Sequence, residues 1–296
     1  RVKLIPLKKT SIFTANMLHF IDKDFNKDFT RHYSLLFQLE EQQYAYAVYE
    51  KRTGKLQVLK SVQLNSASSG DILTKLKNSV TSDDILQAPY HEVKVGLVAS
   101  PFSFVPRVLF EEEKAAAYLK ITAETSQADV VHTNNVKGVF AKNIFSVDQS
   151  IHQYLHEVFD RPKLFHCVSG LIETAIRVKD NFADQQIVLD IKPGIMHIAY
   201  FEKRDFKFIN QYRYVNKEDF LYYVLLVADQ FMIDRNTCDL KLSGEIVPDS
   251  MLFGELWKFF KNISFLQMGE TIATPDELKE KPLYIHNTLL SLDLCE

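Results

Sequence analysis

Apolar and polar residues trade places along Tyr44–Glu50 in the two-residue period of a half-buried strand. Tyr33–Leu39 before it and Leu56–Leu64 after it read as strands too, the second reached through a Thr53-Gly54 turn. After a Ser-rich loop, Asp71–Val80 places Ile72, Leu73, Leu76 and Val80 at helical spacing. His91–Ala99 is apolar enough on both faces for a central strand. Leu109–Ile121 reads as a helix whose first turns carry Glu111, Glu112 and Glu113, where the helix dipole favours negative charge. The pattern then predicts a strand over Val130–Phe140 with a turn at Asn134-Asn135. A helix follows over Ser146–Phe159, capped by Ser146, then a strand at Leu164–Val168 and a helix at Leu171–Lys179.

From Gln185 the order starts again. Strands are expected at Ile187–Ile191, Met196–Phe201 and Phe206–Tyr214, then an apolar helix at Lys217–Ile233 whose all-round hydrophobicity predicts burial between layers. Cys238–Leu242, Asp249–Lys261 and Ile263–Leu266 continue as strand, helix and strand, with a polar loop over 267–281 and a last apolar piece at Leu283–Leu294. Local sequence echoes the same order. Tyr46-Ala-Val-Tyr-Glu50-Lys51-Arg52 returns as Ile198-Ala-Tyr-Phe-Glu202-Lys203-Arg204, roughly 150 positions later, about half the chain. Glu92-Val-Lys-Val-Gly96 is matched by Asp239-Leu-Lys-Leu-Ser243, and Val105-Pro106 with Leu109-Phe110 by Val247-Pro248 with Leu252-Phe253. A period this long predicts two related domains rather than a solenoid.

Each half is thus three successive strands, which need antiparallel hairpins, followed by strand–helix alternation, which brings parallel neighbours. This duplicated order resembles the actin-like ATPase superfamily: actin, the heat-shock chaperone ATPases, acetate and sugar kinases, and the actin-like components of type IV pilus and type II secretion platforms. Within it the chain is similar to an uncharacterised bacterial family known only as a domain of unknown function. The resemblance covers Tyr33 to the C-terminus. It implies an α/β fold of duplicated actin-like (ribonuclease H-like) domains, each a mixed five-stranded sheet with flanking helices. Residues 1–32 would be a lead-in packing on the first domain, 33–182 the first domain and 183–296 the second.

The same resemblance implies an ATP site between the domains, built from two glycine-bearing hairpins and an adenosine loop. A phosphate must approach backbone N–H groups closely, and a side chain at the turn obstructs it. The first hairpin here reads Gln38-Leu39-Glu40-Glu41-Gln42-Gln43, with no glycine and two carboxylates facing the place of a polyanion. The second reads Asp190-Ile191-Lys192-Pro193-Gly194, with Lys192 where the family pattern has its first glycine. The adenosine loop reads Leu242-Ser243-Gly244-Glu245, one glycine where the family has two. The whole chain holds 9 glycines in 296 residues, against a usual frequency near 7%. Asp190, Lys192, Gly194, Ser243 and Gly244 are therefore the candidate remnant of a nucleotide cleft. Their functional reading is a magnesium-side carboxylate, a phosphate-neutralising lysine and phosphate- or adenosine-approach points. Their structural reading is inherited hairpin chemistry with a solvated lysine at the tip.

Other constellations are thinner. His152 and His156 stand one helical turn apart, the spacing of two zinc ligands, but Gln153 occupies the place of the metalloprotease glutamate and no third ligand is evident. Strand alternation would put His166 and Cys167 on opposite faces. Asp22, Asp24 and Asp28 lack the glycine of a calcium loop. A net charge of −3 and a pI near 6.3 give no electrostatic reason for nucleic acid or anionic membrane as a partner. Three scattered cysteines suit reduced thiols in a cytoplasm. No apolar run reaches the roughly 18 residues of a membrane span.

These features predict a catalytically inactive, cytoplasmic, actin-like protein without a cofactor, serving as a scaffold for an unidentified protein partner. The aromatics of Phe206-Lys-Phe208-Ile-Asn-Gln-Tyr212-Arg-Tyr214 offer a partner face if one side of that strand is exposed. Two other functions stay open: an ATP- and magnesium-dependent phosphotransferase or ATPase with atypical phosphate loops, and a small-ligand binder using the interdomain cleft.

Overall fold

All seven residues of Tyr33–Leu39 are buried, and a strand covered on both faces must lie inside a layered sheet. In the computed structural model, which describes residues 19–64, 71–122, 129–267 and 272–296, that strand (β2) is central. It pairs antiparallel with β3 (Gln43–Glu50) and parallel with β5 (Glu92–Leu97). The sheet continues through β4 (Leu56–Gln63) to β1 (His19–Ile21) on one side and reaches β9 (Lys163–His166) on the other. Six strands therefore stand where the pattern predicted five. The added one comes from the lead-in, whose residues 1–18 lie outside the described region.

The second sheet has the order β12 (Asp205–Arg213), β11 (Ile195–Glu202), β10 (Gln185–Lys192), β13 (Asp239–Gly244) and β14 (Asn262–Phe265). Its pairings run antiparallel, antiparallel, parallel, parallel, the same sequence as β4-β3-β2-β5-β9. Glu50 faces Tyr33 at the end of one hairpin, and Glu202 faces Gln185 at the matching end of the other.

Between β5 and β9 the chain builds a small three-stranded sheet, β6-β8-β7, from β6 (Phe102–Pro106), β7 (Asp129–Val136) and β8 (Ala141–Asp148). The sequence pattern places β7 in its Val130–Phe140 strand but differs from this region in three places. Asn134 and Asn135 are paired strand residues facing Asn143 and Lys142, not a turn. Ser146 lies in β8, and the cap of α3 (Gln149–Val158) is Asp148, which accepts from the N–H groups of Ser150 and Ile151. The acidic run Glu111–Glu113 precedes a shorter helix, α2 (Ala115–Thr122), through a 3-10 turn.

Helix α1 (Ile72–Thr81) and α3 cover one face of the first sheet with Leu76, Val80, Tyr154 and Leu155. The other face, at Leu36, Ala47 and Phe165, is covered by Leu289 and Leu290 of α7 (Asn287–Leu290) and by Leu292 just beyond. Helix α4 (Cys167–Arg177) covers the inner face of the second sheet with Leu171, Ile172 and Ala175. The outer face packs on α5 (Lys217–Gln230) and α6 (Met251–Trp257). Helix α5 is not sandwiched as its composition predicted: Tyr222 and Leu226 are exposed, because the sheet is met from one side, chiefly by Phe220, Val224, Val227 and Ala228. Among the described residues no helix is long and apolar enough to cross a membrane.

The aromatic strand face is also corrected. A bulge opposite Tyr200/Phe201 shifts the register, so Phe206 packs inward with Phe104 and Phe201 while Phe208 turns to the outer face. There Phe208, Tyr212 and Tyr214 contact Phe231, Tyr223 and Phe220 at ring separations of 5.2, 4.8 and 5.4 Å. The face is roofed by α5 and its flanks, not open.

Candidate functional site

Two hairpins meet where the sheets face one another. In the second, Lys192 pairs with Ile195, leaving a two-residue turn in which Pro193 presets its own φ and Gly194 supplies a positive one, +74°. In the first, the Glu40 N–H bonds to the Gln43 carbonyl at 2.9 Å, so Glu41 and Gln42 form the exposed tip while Glu40 itself is tucked in. At the end of β13, Gly244 has φ +81°, and a Cβ there would stand 2.1 Å from the Ile191 carbonyl oxygen. Only glycine permits that approach, which lets the Glu245 N–H bond the same carbonyl at 2.6 Å and brings the Glu245 side chain into the cleft.

The arrangement brings Asp190, Lys192, Gly194, Ser243 and Gly244 to one end of the second sheet, opposite Glu40. Lys192 Nζ lies 3.6 Å from Glu40 Oε1, with both side chains almost fully buried at 3% and 7% exposure. The lysine is thus not solvated, as its place at a hairpin tip had suggested; the opposing hairpin covers it. Glu40 also accepts from the amides of Gln38 and Gln43, each at 2.7 Å, and Gln43 Nε2 donates to Glu245 as well. Asp190 Oδ1 accepts from Ser243 Oγ at 2.9 Å, and His197 Nδ1 lies 3.4 Å from Asp190 Oδ2. The Ile285 carbonyl accepts from Lys192 Nζ at 3.4 Å, while Arg213 closes the rim on Glu41 at 2.6 Å.

These groups set one another's protonation. Burial pulls Lys192 down, but the carboxylates of Glu40, Asp190 and Glu245 outweigh it and raise its pKa, so the ammonium stays charged. Burial pushes Asp190 up, but Lys192, His197 and Ser243 hold it below the usual carboxylate range. Glu245 has less help: burial and the nearby Glu40 push it up to about 7. His286 is driven down to about 3 by burial and by Lys192, so it sits against the cluster neutral. What remains between Glu40, Gln43, Lys192, Glu245 and His286 is a cavity of about 20 Å³. That is room for one water, whereas pockets for cofactor-sized ligands run to roughly 300 Å³ or more.

Sequence reasoning named the five cleft residues but missed His197, Gln43, Arg213 and the 285–286 segment. His197 alone had a signal: it lies directly across the hairpin from Asp190. The expectation for His166 and Cys167 was also wrong, because α4 starts at Cys167 and ends strand alternation there. His166, Cys167 and His197 instead converge in the core with donor atoms within 4.8 Å of one another. Their ring nitrogens are already engaged: His166 Nε2 with the Ser100 carbonyl at 2.9 Å, His166 Nδ1 with the Val168 N–H, His197 with Asp190 and Gln211. Near the N-terminus, Asp22 and Asp24 surround the protein's own ammonium, Lys55, at 3.0 and 3.2 Å.

A Bacteroides thetaiotaomicron protein of unknown function, with an actin-like ATPase fold, superposes with a TM-score of 0.76 at 21% identity, over 90% of this chain and 98% of that one. A structure of the PilM–PilN type IV pilus biogenesis complex superposes at 0.63 and 11% identity, over 89% and 98%. The mixed sheets therefore define an actin-like ATPase fold. A search of curated proteins by sequence gave no match. The model of one family, the proteins of unknown function DUF3822, matches residues 22–263, and this chain belongs to that family.

Proposed function

We propose that this protein is a non-catalytic member of the actin-like fold, a cytoplasmic scaffold that works through protein contacts. The observation that carries the reading is the buried Glu40–Lys192 pair. An actin-like ATPase needs that space for phosphates, and here one hairpin fills it with a carboxylate and the other with the ammonium that neutralises it. A nucleotide would have to separate the pair, bring its own negative charge beside Glu40 and Glu245, and do so without glycine-lined N–H groups in the first hairpin. The same filled cleft weighs against a small-ligand binder. We also read the two sheets as copies of one ancestral unit, on the strength of their common strand order and the matching Glu50 and Glu202.

A scaffold needs a docking surface. Among the described residues β6 and β12 are each paired on one side only, and both line a groove of about 600 Å³ with Phe104, Phe206 and Lys207. An extended partner segment would find unpaired backbone groups there. The PilM–PilN neighbour is itself a complex with a second protein, which fits a docking role for this architecture. Calorimetric titration with ATP and magnesium is expected to give no binding at sub-millimolar concentration. Tight, stoichiometric binding would overturn the proposal.

A further inference from the structure

The structure supplies a third partner for the histidine pair on α3. His152 and His156 stand one turn apart with ring centroids 4.5 Å from each other, and His132 of β7 lies beneath them, its ring 5.1 Å from His152. We propose that His132, His152 and His156 form a transition-metal site, three imidazole ligands for Zn²⁺ or a cation of similar borderline character, with water completing a tetrahedron.

Three observations converge on this trio. Among the described residues His132 Nε2 is buried without a hydrogen-bond partner, and an orphaned buried nitrogen is costly unless something binds it. Its ring is held in place by stacking on Phe145 at 5.4 Å, so one ligand is positioned before any metal arrives. His156 is exposed and His152 partly so, which leaves the helix pair free to rotate toward a shared ion and gives the ion a route in. The buried His166, Cys167 and His197 cluster differs from this trio, since its ring nitrogens already have partners. With three nitrogen donors and no carboxylate in the trio, the site disfavours Mg²⁺ and Ca²⁺.

The test is calorimetric titration of the metal-stripped full chain with ZnCl₂, with Co²⁺ absorption reporting coordination geometry. One equivalent should bind. His152→Ala, His156→Ala and His132→Phe should each weaken it by at least about tenfold. The phenyl ring keeps the stack on Phe145, and thermal melts check that the variant folds. Absence of stoichiometric binding would overturn the proposal. So would loss on changing the helix pair with no effect from His132→Phe, which would mark adventitious binding by two surface histidines. If His132→Phe does not fold, the wild-type spectrum decides: intense tetrahedral Co²⁺ bands support three ligands, and a weak octahedral spectrum overturns them.

Discussion

Glu40, directly after β2, and Lys192, the last residue of β10, occupy matching places at the ends of the two middle strands, yet one is a carboxylate and the other an ammonium. Around the first hairpin the supporting groups are uncharged amides, Gln38 and Gln43; around the second they are a carboxylate, a hydroxyl and an imidazole, Asp190, Ser243 and His197. The difference teaches that the cleft is balanced across its two walls rather than within each. Three carboxylates, the buried Glu40 and Asp190 and the half-buried Glu245, share one ammonium. Neither wall would be stable in its present chemistry if the other were drawn away.

That imbalance can be broken most forcefully at Lys192. Lys192→Met should cost about 3–5 kcal/mol in urea unfolding, since it strands buried carboxylates without a cation. Glu40→Gln should cost less, because Lys192 keeps Asp190 and Glu245. Equal losses would refute the asymmetry. A smaller effect lies in pH. Glu245 titrates near 7 in the folded protein against the usual 4.5, so the folded state holds its proton more tightly than the unfolded chain does. Stability should therefore fall as pH rises from about 4.5 to 7, by about 2 kcal/mol. Glu245→Gln should flatten that slope, as read from urea midpoints across the range, and an unchanged slope would place the titration elsewhere. The smallest effect belongs to the turn of the second hairpin. Among the described residues Gly194→Ala meets nothing closer than the Tyr214 carbonyl oxygen at 3.8 Å, so it should cost about 1 kcal/mol for its positive φ alone. A loss several times larger would mean that the hairpin tip, not only the ion pair, sets the cleft.

Legibility in the sequence followed the range of the interactions. Tyr33–Leu39 and Glu50 with Glu202 could be read because strand periodicity and turn residues act within a few positions. Of the β6-β8-β7 sheet only β7 could, within the strand expected over Val130–Phe140. Pro106 closes a five-residue strand, and Ser146 imitates a helix cap two residues before the real one at Asp148. The cleft residues were found by comparing loops, but their burial was not. Lys192 reads as a solvated hairpin tip, and what covers it is a glutamate roughly 150 positions away, Glu40, itself held by a glutamine on either side. The aromatic strand misled because a single bulge residue turns Phe206 to the face opposite Phe208, Tyr212 and Tyr214, and α5 with its flanks roofs the face those three share.

The segment that covers the first sheet from below has a consequence in time. Leu289, Leu290 and Leu292 close over Leu36, Ala47 and Phe165, Lys94 Nζ donates to the carbonyls of Asp293 and Cys295 at 2.9 and 2.8 Å, and the Tyr49 hydroxyl bonds Asp293. Those partners are separated by roughly 120 to 250 positions, so a growing chain leaves one side of its earliest sheet uncovered until long after that sheet's strands have emerged. The first half can pair its strands alone, but it waits for the second half to be synthesised before it has a lid.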